Sequence, residues 1–386
     1  MAIESTAAES FVWPTPRSVY IHVPFCRHRC GYCNFSVVAD RDDLIDRYLD
    51  AIDRELASLD RPAVDTVFIG GGTPTHLPPA ALARLLSIAE QRFQFEDDIE
   101  FSTEANPEDI TAEKLDCLVH HGVNRISLGV QSFNDDKLRL LERGHTGERA
   151  AAMIELAASR IPNVSIDLIF AAPGETTEQW QQDLSTALAL PIQHISTYAL
   201  TFEKGTSFWS RLSRGDLSTA DETVEVEMYQ AARRMNAEAG LSHYEVSNFA
   251  RDGHRCRHNL AYWDGRGWYA VGPGAARFVG GRREVNHRST TTYIKRLESD
   301  QSPTAESEWI TPLQCAQERA AFGVRLIDGI DIDAIGHEMK VPIRQVCSDA
   351  IARSSAEGLL DDFGDRVRLT DHGVLFADTV ASRFLG

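Results

Sequence analysis

The sequence predicts an α/β fold: a partial (β/α)6 barrel of TIM type, followed by a small C-terminal α+β unit with a winged-helix-like pattern. Three observations lead there. Strand-length apolar runs alternate with helical patterns through the first half of the chain. Residue types suited to chemistry cluster where those runs end. Near residue 306 the pattern changes to short helices and a closing hairpin-like stretch.

The strand runs are SVYIHV from Ser18, DTVFIG from Asp65, DIEFSTE from Asp98, NRISLGV from Asn124, NVSIDLIF from Asn163 and HISTYAL from His194. Between them lie helical spacings such as Leu44, Tyr48, Ile52, Leu56 and Leu59, or Ala81, Leu82, Leu85, Leu86 and Ala89. Strand, helix, strand in repetition implies parallel pairing through right-handed crossovers. Six such units are too few for a closed eight-fold barrel. In sheets of this kind sites lie at the C-terminal strand ends. Those ends carry PFC at Pro24, GGGTPT at Gly70, EANPE at Glu104, VQSF at Val130 and the acidic Asp167.

The organisation expected is an N-terminal extension over residues 1–17, the barrel over 18–240, a linking segment over 241–305 and the C-terminal unit over 306–386. The linking segment is rich in Gly, Arg and aromatics, and the last unit ends GLLDDFGDRVRL before a helix. Winged helices serve in protein interaction as well as DNA reading. With 39 Lys+Arg against 57 Asp+Glu, a formal net charge of −18, the chain lacks the basic field nucleic acid requires. No run approaches the ~20 apolar residues of a membrane span. The N-terminus lacks the basic and apolar regions of a secretory signal, so a cytoplasmic protein is expected.

Of seven cysteines, Cys117, Cys256, Cys315 and Cys347 stand singly, whereas Cys26, Cys30 and Cys33 follow directly on the first strand. Scattered cysteines in a reducing compartment read as small buried hydrophobes. Structural zinc favours paired C-x2-C ligands, and no second pair exists. Three thiolates in one loop suit a [4Fe–4S] cluster with one iron left free of protein ligands. That iron can chelate the amino and carboxylate groups of S-adenosylmethionine, whose reductive cleavage yields a 5′-deoxyadenosyl radical. A zinc site completed by His22 or His28 is the alternative.

The C-x3-C-x2-C spacing, joined by Gly70-Gly71-Gly72-Thr73-Pro74 at the next strand end, resembles the radical S-adenosylmethionine (radical SAM) superfamily. Within it the chain looks like the coproporphyrinogen III oxidase group, from YIHVPFC at Tyr20 through STEANPE, GVQSF and SIDLIF to HNLAYW. The resemblance implies cluster ligands at Cys26, Cys30 and Cys33. It also implies S-adenosylmethionine contacts at Tyr20, Gly71, Gly72, Thr73, Glu104, Gln131, Arg143, Asp167 and Ala199. Carboxylates can accept from ribose hydroxyls or the ammonium, and a guanidinium can pair with the ligand carboxylate.

Two departures separate the chain from the oxidases. Those carry C-x3-C-x2-C-x-C, where this sequence has Phe35, and a longer N-terminal cover, where only 25 residues precede Cys26 here. Both features, and His258-Asn259-Leu260-Ala261-Tyr262-Trp263, resemble the HemW-type heme chaperones. The resemblance implies heme as a further cofactor, with His258 as axial ligand, Cys256 as the alternative, and Arg251, Arg255 and Arg257 for the propionates. A buried His satisfied within the protein is the competing reading. Heme-acceptor proteins are the implied partners. An electron donor joins them if radical chemistry occurs, and a homodimer and peripheral membrane association through acceptors remain open. Three functions follow: a heme-binding and transfer protein without coproporphyrinogen oxidase activity, a radical enzyme acting on a tetrapyrrole, or an iron–sulfur scaffold with an interaction domain.

Overall fold

Alternation of buried side chains along each strand decides which face meets the helices and which faces inward. In Arg125–Gln131, Ile126, Leu128 and Val130 join the hydrophobic core, while Ser127, Gly129 and Gln131 face an internal cavity. The same division recurs along the sheet, so the barrel's outer layer is apolar and its interior is polar.

The computed structural model describes residues 11–386. The six predicted strands form in order as β1 (Ser18–Val23), β2 (Ala63–Gly71), β3 (Gln94–Ala105), β4 (Arg125–Gln131), β5 (Asn163–Phe170) and β6 (His194–Ala199). They are followed by β7 (Ser242–Glu245), β8 (Asn248–Ala250) and β9 (Tyr269–Val271). The sheet order is β9-β1-β2-β3-β4-β5-β6-β8-β7, parallel from β9 to β6. β8 pairs antiparallel with both β6 and β7. The outer strands do not pair with one another, so the barrel is open. Helices such as Ile45–Leu56 and Pro79–Arg92 return the chain between parallel strands; Tyr48, Leu49, Ile52 and Leu56 of the first form its buried stripe.

Residues 241–305, expected to link two units, complete the barrel instead. They supply β7, β8 and β9, with β9 adding a parallel strand at the edge of β1. They also supply the helix Arg257–Asp264, packed across the starts of β2 and β3. The division expected at 306 falls within the strand Thr304–Trp309, which pairs with Arg282–Asn286 in a small antiparallel sheet. The C-terminal unit has the expected hairpin: Leu360–Asp362 pairs with Arg366–Leu369, which also pairs with Ile330–Asp331, before the final helix Ala377–Phe384. One buried cluster runs on from the barrel into this unit. Of the N-terminal extension, residues 1–10 lie outside the described residues; Trp13 packs edge-on against Phe278.

Candidate active site at the C-terminal ends of the strands

A cavity open at its mouth sits where β1 to β5 end. Cys26, Cys30 and Cys33 all line it, as do Gly71, Gly72, Thr73, Glu104, Gln131, Arg143 and Asp167. Seven of the nine residues expected to touch S-adenosylmethionine therefore share one cavity with the three thiols. The other two do not. Tyr20 lies beneath the wall, its hydroxyl 3.1 Å from His22 Nδ1 and its ring stacked on Phe68. Ala199 packs against the hydrophobic core at the end of β6.

The cysteine loop leaves β1 and turns through a Cys33 N–H to Cys30 carbonyl bond of 3.0 Å. Gly31 is required there, since a Cβ would lie 2.6 Å from the Phe208 ring. Cys26 Sγ is 3.6 Å from Thr73 Oγ1, and Cys30 Sγ receives Arg143 Nη1 at 3.5 Å. Burial pushes the Cys26 thiol up to about 12 and raises Cys33 as well. Without a cationic ligand these groups hold their protons, and a bound metal would displace them. His22, one candidate for completing a zinc site, is committed to Tyr20 and to Ser36 O at 2.9 Å. His28 remains near, with Nε2 3.6 Å from Cys30 Sγ. Among the described residues no three His, Cys, Asp or Glu side chains converge to hold a single ion.

The glycine turn is fixed by steric limits. Gly71 has φ +103°, and a Cβ on Gly72 would meet the carbonyl oxygens of Val23 and Phe25 at 2.6 Å. The amides of Gly72 and Thr73 donate to those carbonyls at 2.7 Å. Gly71 N–H donates to Glu104 Oε2 at 2.8 Å. Burial, reinforced by nearby Asp167, raises the Glu104 carboxyl to about 7. Asp167, held by Ser127 Oγ at 3.2 Å, is likewise raised by burial, with Ser196 and Arg125 opposing. Two carboxyls facing one cavity with little counter-charge make a receptor for a cation.

Arg143 crosses the other wall. Its Nη2 donates to Asn106 Oδ1 at 2.5 Å and Gly129 O at 2.9 Å, while its buried Nε has no partner. Gln131 adopts φ +66°, an unusual conformation for a residue with a side chain and one that recurs at functional sites. Asn106 also holds Thr73 Oγ1 at 2.8 Å, tying the guanidinium to the glycine turn. Sequence reasoning missed Asn106 and Ser127. Asn106 stands inside the STEANPE stretch, and Ser127 is four residues before Gln131 on the same strand face, so alternation could have found it.

His258 lies at the opposite end of the barrel. Its backbone N–H donates to Glu100 Oε1 at 3.0 Å, and Arg257 N–H donates to Oε2 at 2.8 Å, so a carboxylate of β3 caps this helix. Ring Nδ1 pairs with Thr66 Oγ1 at 2.9 Å and Nε2 with the Tyr262 hydroxyl at 3.1 Å. The ring stacks 5.1 Å from Phe68 and is 2% exposed. Burial drives its pKa down to about 3. Thr66 precedes Gly71 by five strand residues, about 16 Å at ~3.3 Å each. Both ring nitrogens are used and the ring is enclosed, the arrangement of the competing reading, a buried His satisfied within the protein. Cys256 is fully buried beside Glu100. The three arginines offered to propionates are also engaged. Arg251 donates to Ile192 O and Ala239 O, Arg255 pairs with Asp328 and Arg257 with Asp98.

The radical SAM superfamily model matches residues 20–187, and the HemN C-terminal domain model matches residues 310–376. The heme chaperone HemW of Mycobacterium tuberculosis is 38% identical over 379 residues, covering 96% of this chain and 95% of its own. That of Bacillus subtilis is 33% identical over 376 residues, covering 96% and 99%. Coproporphyrinogen III oxidase (HemN) from Escherichia coli, described as a radical SAM enzyme, superposes with a TM-score of 0.84 at 23% identity, covering 96% of this chain and 90% of its own. The last match establishes the shared fold.

Proposed function

Because the chain belongs to the radical SAM superfamily, and within it to the heme chaperone HemW family, we propose that it binds a [4Fe–4S] cluster, S-adenosylmethionine and heme and delivers heme to acceptor proteins. The observation that carries the cofactor reading is the meeting of Cys26, Cys30 and Cys33 with Glu104, Gln131, Arg143 and Asp167 in one cavity. Residues separated by more than a hundred positions converge there with a cationic wall on one side and an acidic one on the other. The donor set fits: three thiols in one loop, an unpartnered buried Arg143 Nε, and a glycine turn that a Cβ would block.

When bound, a cluster of this type with S-adenosylmethionine on its open iron supplies one-electron cleavage of the sulfonium. The protein's own residues divide the rest. Arg143 offers its guanidinium to the ligand carboxylate. The amides of the Gly71–Thr73 turn are already spent, so the turn presents its carbonyls to an ammonium. Glu104 and Asp167, deeper in the cavity, accept from ammonium or ribose hydroxyls and supply negative charge to the cationic ligand. Tyr20 supports the glycine turn from below; its hydroxyl is 2.9 Å from the point where a Gly71 Cβ would stand.

The transfer role is favoured over oxidation by Phe35. At the position of the oxidases' additional cysteine it places an exposed aromatic on the cavity rim. A second reading, radical chemistry on a tetrapyrrole, is favoured by the complete cofactor cavity, which heme carriage by itself does not need. One paired experiment separates them. Anaerobically reconstituted protein is given coproporphyrinogen III with a reductant, and in parallel is titrated with heme and then an apo-acceptor. Heme binding and transfer without decarboxylation supports the first reading; turnover supports the second. No helix among the described residues is long and apolar enough to cross a membrane. A cytoplasmic location is part of the proposal, and cell fractionation tests it.

A further inference from the structure

From Pro24 to Ala39 this acidic chain carries no Asp or Glu, yet it places Arg27, His28 and Arg29 between the first two thiols. We propose that the outer rim of the cysteine loop is the docking surface for an acidic one-electron carrier protein, with Phe35 at its centre and Arg27, Arg29 and Arg288 around it. The inference rests on the reading that the three thiols hold an iron–sulfur cluster.

The guanidinium groups are held at the loop. Arg29 donates to Cys33 O at 3.4 and 3.3 Å. Arg288, just after the strand Arg282–Asn286, donates to Asn34 O at 2.7 Å and Ser36 Oγ at 3.1 Å. Both are exposed, and neither has a carboxylate in ion-pair range among the described residues. Arg27 shares Asp109 at 3.1 Å while its side chain stays 63% exposed. The acidic groups beside the loop each have a basic partner: Asp109 pairs with Arg27, Glu142 with Arg211 at 3.5 Å, and Glu108 with His145 at 2.9 Å. The rim is therefore positive on a chain of net charge −18. Between the anchor points of Arg29 and Arg288 stands Phe35, 63% exposed.

A local cationic ring with an aromatic centre fits a small transient interface with an acidic partner. Electron-transfer complexes sit at the small end of interface sizes, and their rim charges set the association rate. Position selects the type of partner, because Arg29 touches the backbone of a thiol residue. A carrier seated there brings its redox centre to the cluster side of the protein, away from the barrel floor. In the transfer one electron leaves the anionic flavin hydroquinone of a flavodoxin-type carrier, which becomes the neutral semiquinone, and enters the cluster. No bond forms or breaks and no proton moves.

The test follows cluster bleaching by stopped flow with a reduced acidic flavodoxin, and with photoreduced deazaflavin as a small neutral comparator. Calorimetric titration of the cluster-free chain with the same flavodoxin reads docking directly. Arg29→Glu, alone and with Arg27→Glu, should slow reduction by flavodoxin about tenfold or more at low ionic strength, while deazaflavin reduction keeps its rate. Wild-type reduction should slow as salt is added. Unchanged flavodoxin rates in Arg29→Glu, a salt-independent wild-type rate, or loss of heme affinity without loss of carrier docking overturns the proposal. If no cluster assembles, the cofactor reading fails separately, and calorimetry still decides the docking question. Arg27→Gln with Arg29→Gln, which removes charge without reversing it, guards against a collapsed loop.

Discussion

Replacing His258 by Ala should destabilise the protein rather than selectively remove a heme ligand. The ring is fully enclosed, stacked on Phe68, and bonded at both nitrogens. Truncation leaves a cavity under Phe68, for which large-to-small core changes cost about 2–5 kcal/mol. It also strands the Thr66 and Tyr262 hydroxyls, at about 1–3 kcal/mol for each group left unsatisfied. Both hydroxyls can rotate and water can enter the new space, so the combined loss should be about 3–5 kcal/mol. Urea unfolding followed by circular dichroism measures it. Glu100→Gln, which weakens the helix cap without touching the ring, should also destabilise. Full stability of His258→Ala together with a lost Soret band would refute the argument and restore the ligand reading.

The same residue carries a pH signature. Its folded pKa, driven down to about 3 by burial, lies below the ordinary value of ~6.5. Between those values the unfolded chain binds a proton that the folded protein refuses. The contribution of neutral His258 is therefore complete above pH ~6.5 and declines by about 1.4 kcal/mol per unit as pH falls toward 3. His243, lowered to about 4, acts in the same window, so the difference between wild type and His258→Phe isolates this residue.

Other outcomes follow from the cavity. Anaerobically reconstituted Cys26→Ala, Cys30→Ala or Cys33→Ala should lose the ~400 nm thiolate–iron absorption, whereas Cys117→Ala, Cys315→Ala and Cys347→Ala should retain it. Gly72→Ala forces a Cβ within 2.6 Å of two backbone carbonyls, so equilibrium dialysis should show S-adenosylmethionine binding largely lost. Because burial holds Glu104 near 7 and a cationic ligand favours its ionised form, affinity should rise with pH through 7, and Glu104→Gln should flatten that rise. Glu104→Ala with Asp167→Ala should cost on the order of 3–6 kcal/mol of binding, read by calorimetry.

What the sequence disclosed about the site was disclosed by local rules. Parallel strands end on one rim, so chemistry-bearing residues at consecutive strand ends had to meet. Gly71, Glu104, Gln131 and Asp167 do meet there with the cysteines. The same periodicity located six strands of the barrel because each carries its own apolar face. It could not locate β9, three residues long, which exists only because β1 offers an edge to pair with. Nor could it separate Tyr20, whose ring turns toward Phe68, from the residues that reach the cavity.

His258 shows why motif spacing and burial give different answers. Read locally, a histidine with Tyr262 one helical turn on and three arginines nearby offers everything a heme requires. His258, Arg257 and Arg255 are each answered by a residue far away in sequence: Thr66 and Glu100 by 192 and 158 positions, Asp98 by 159 and Asp328 by 73. The helix that carries the motif lies against the starts of β2 and β3, where strands in this architecture contribute packing, and the cofactor cavity opens at their other ends. If the protein carries heme on His258, the helix Arg257–Asp264 must leave the barrel floor. That would break the Thr66 bond, uncap two amides from Glu100 and expose Phe68. Hydrogen exchange at the amides of Arg257 and His258 should then accelerate when heme is added. A ligand bound elsewhere would leave those amides as protected as in the free protein.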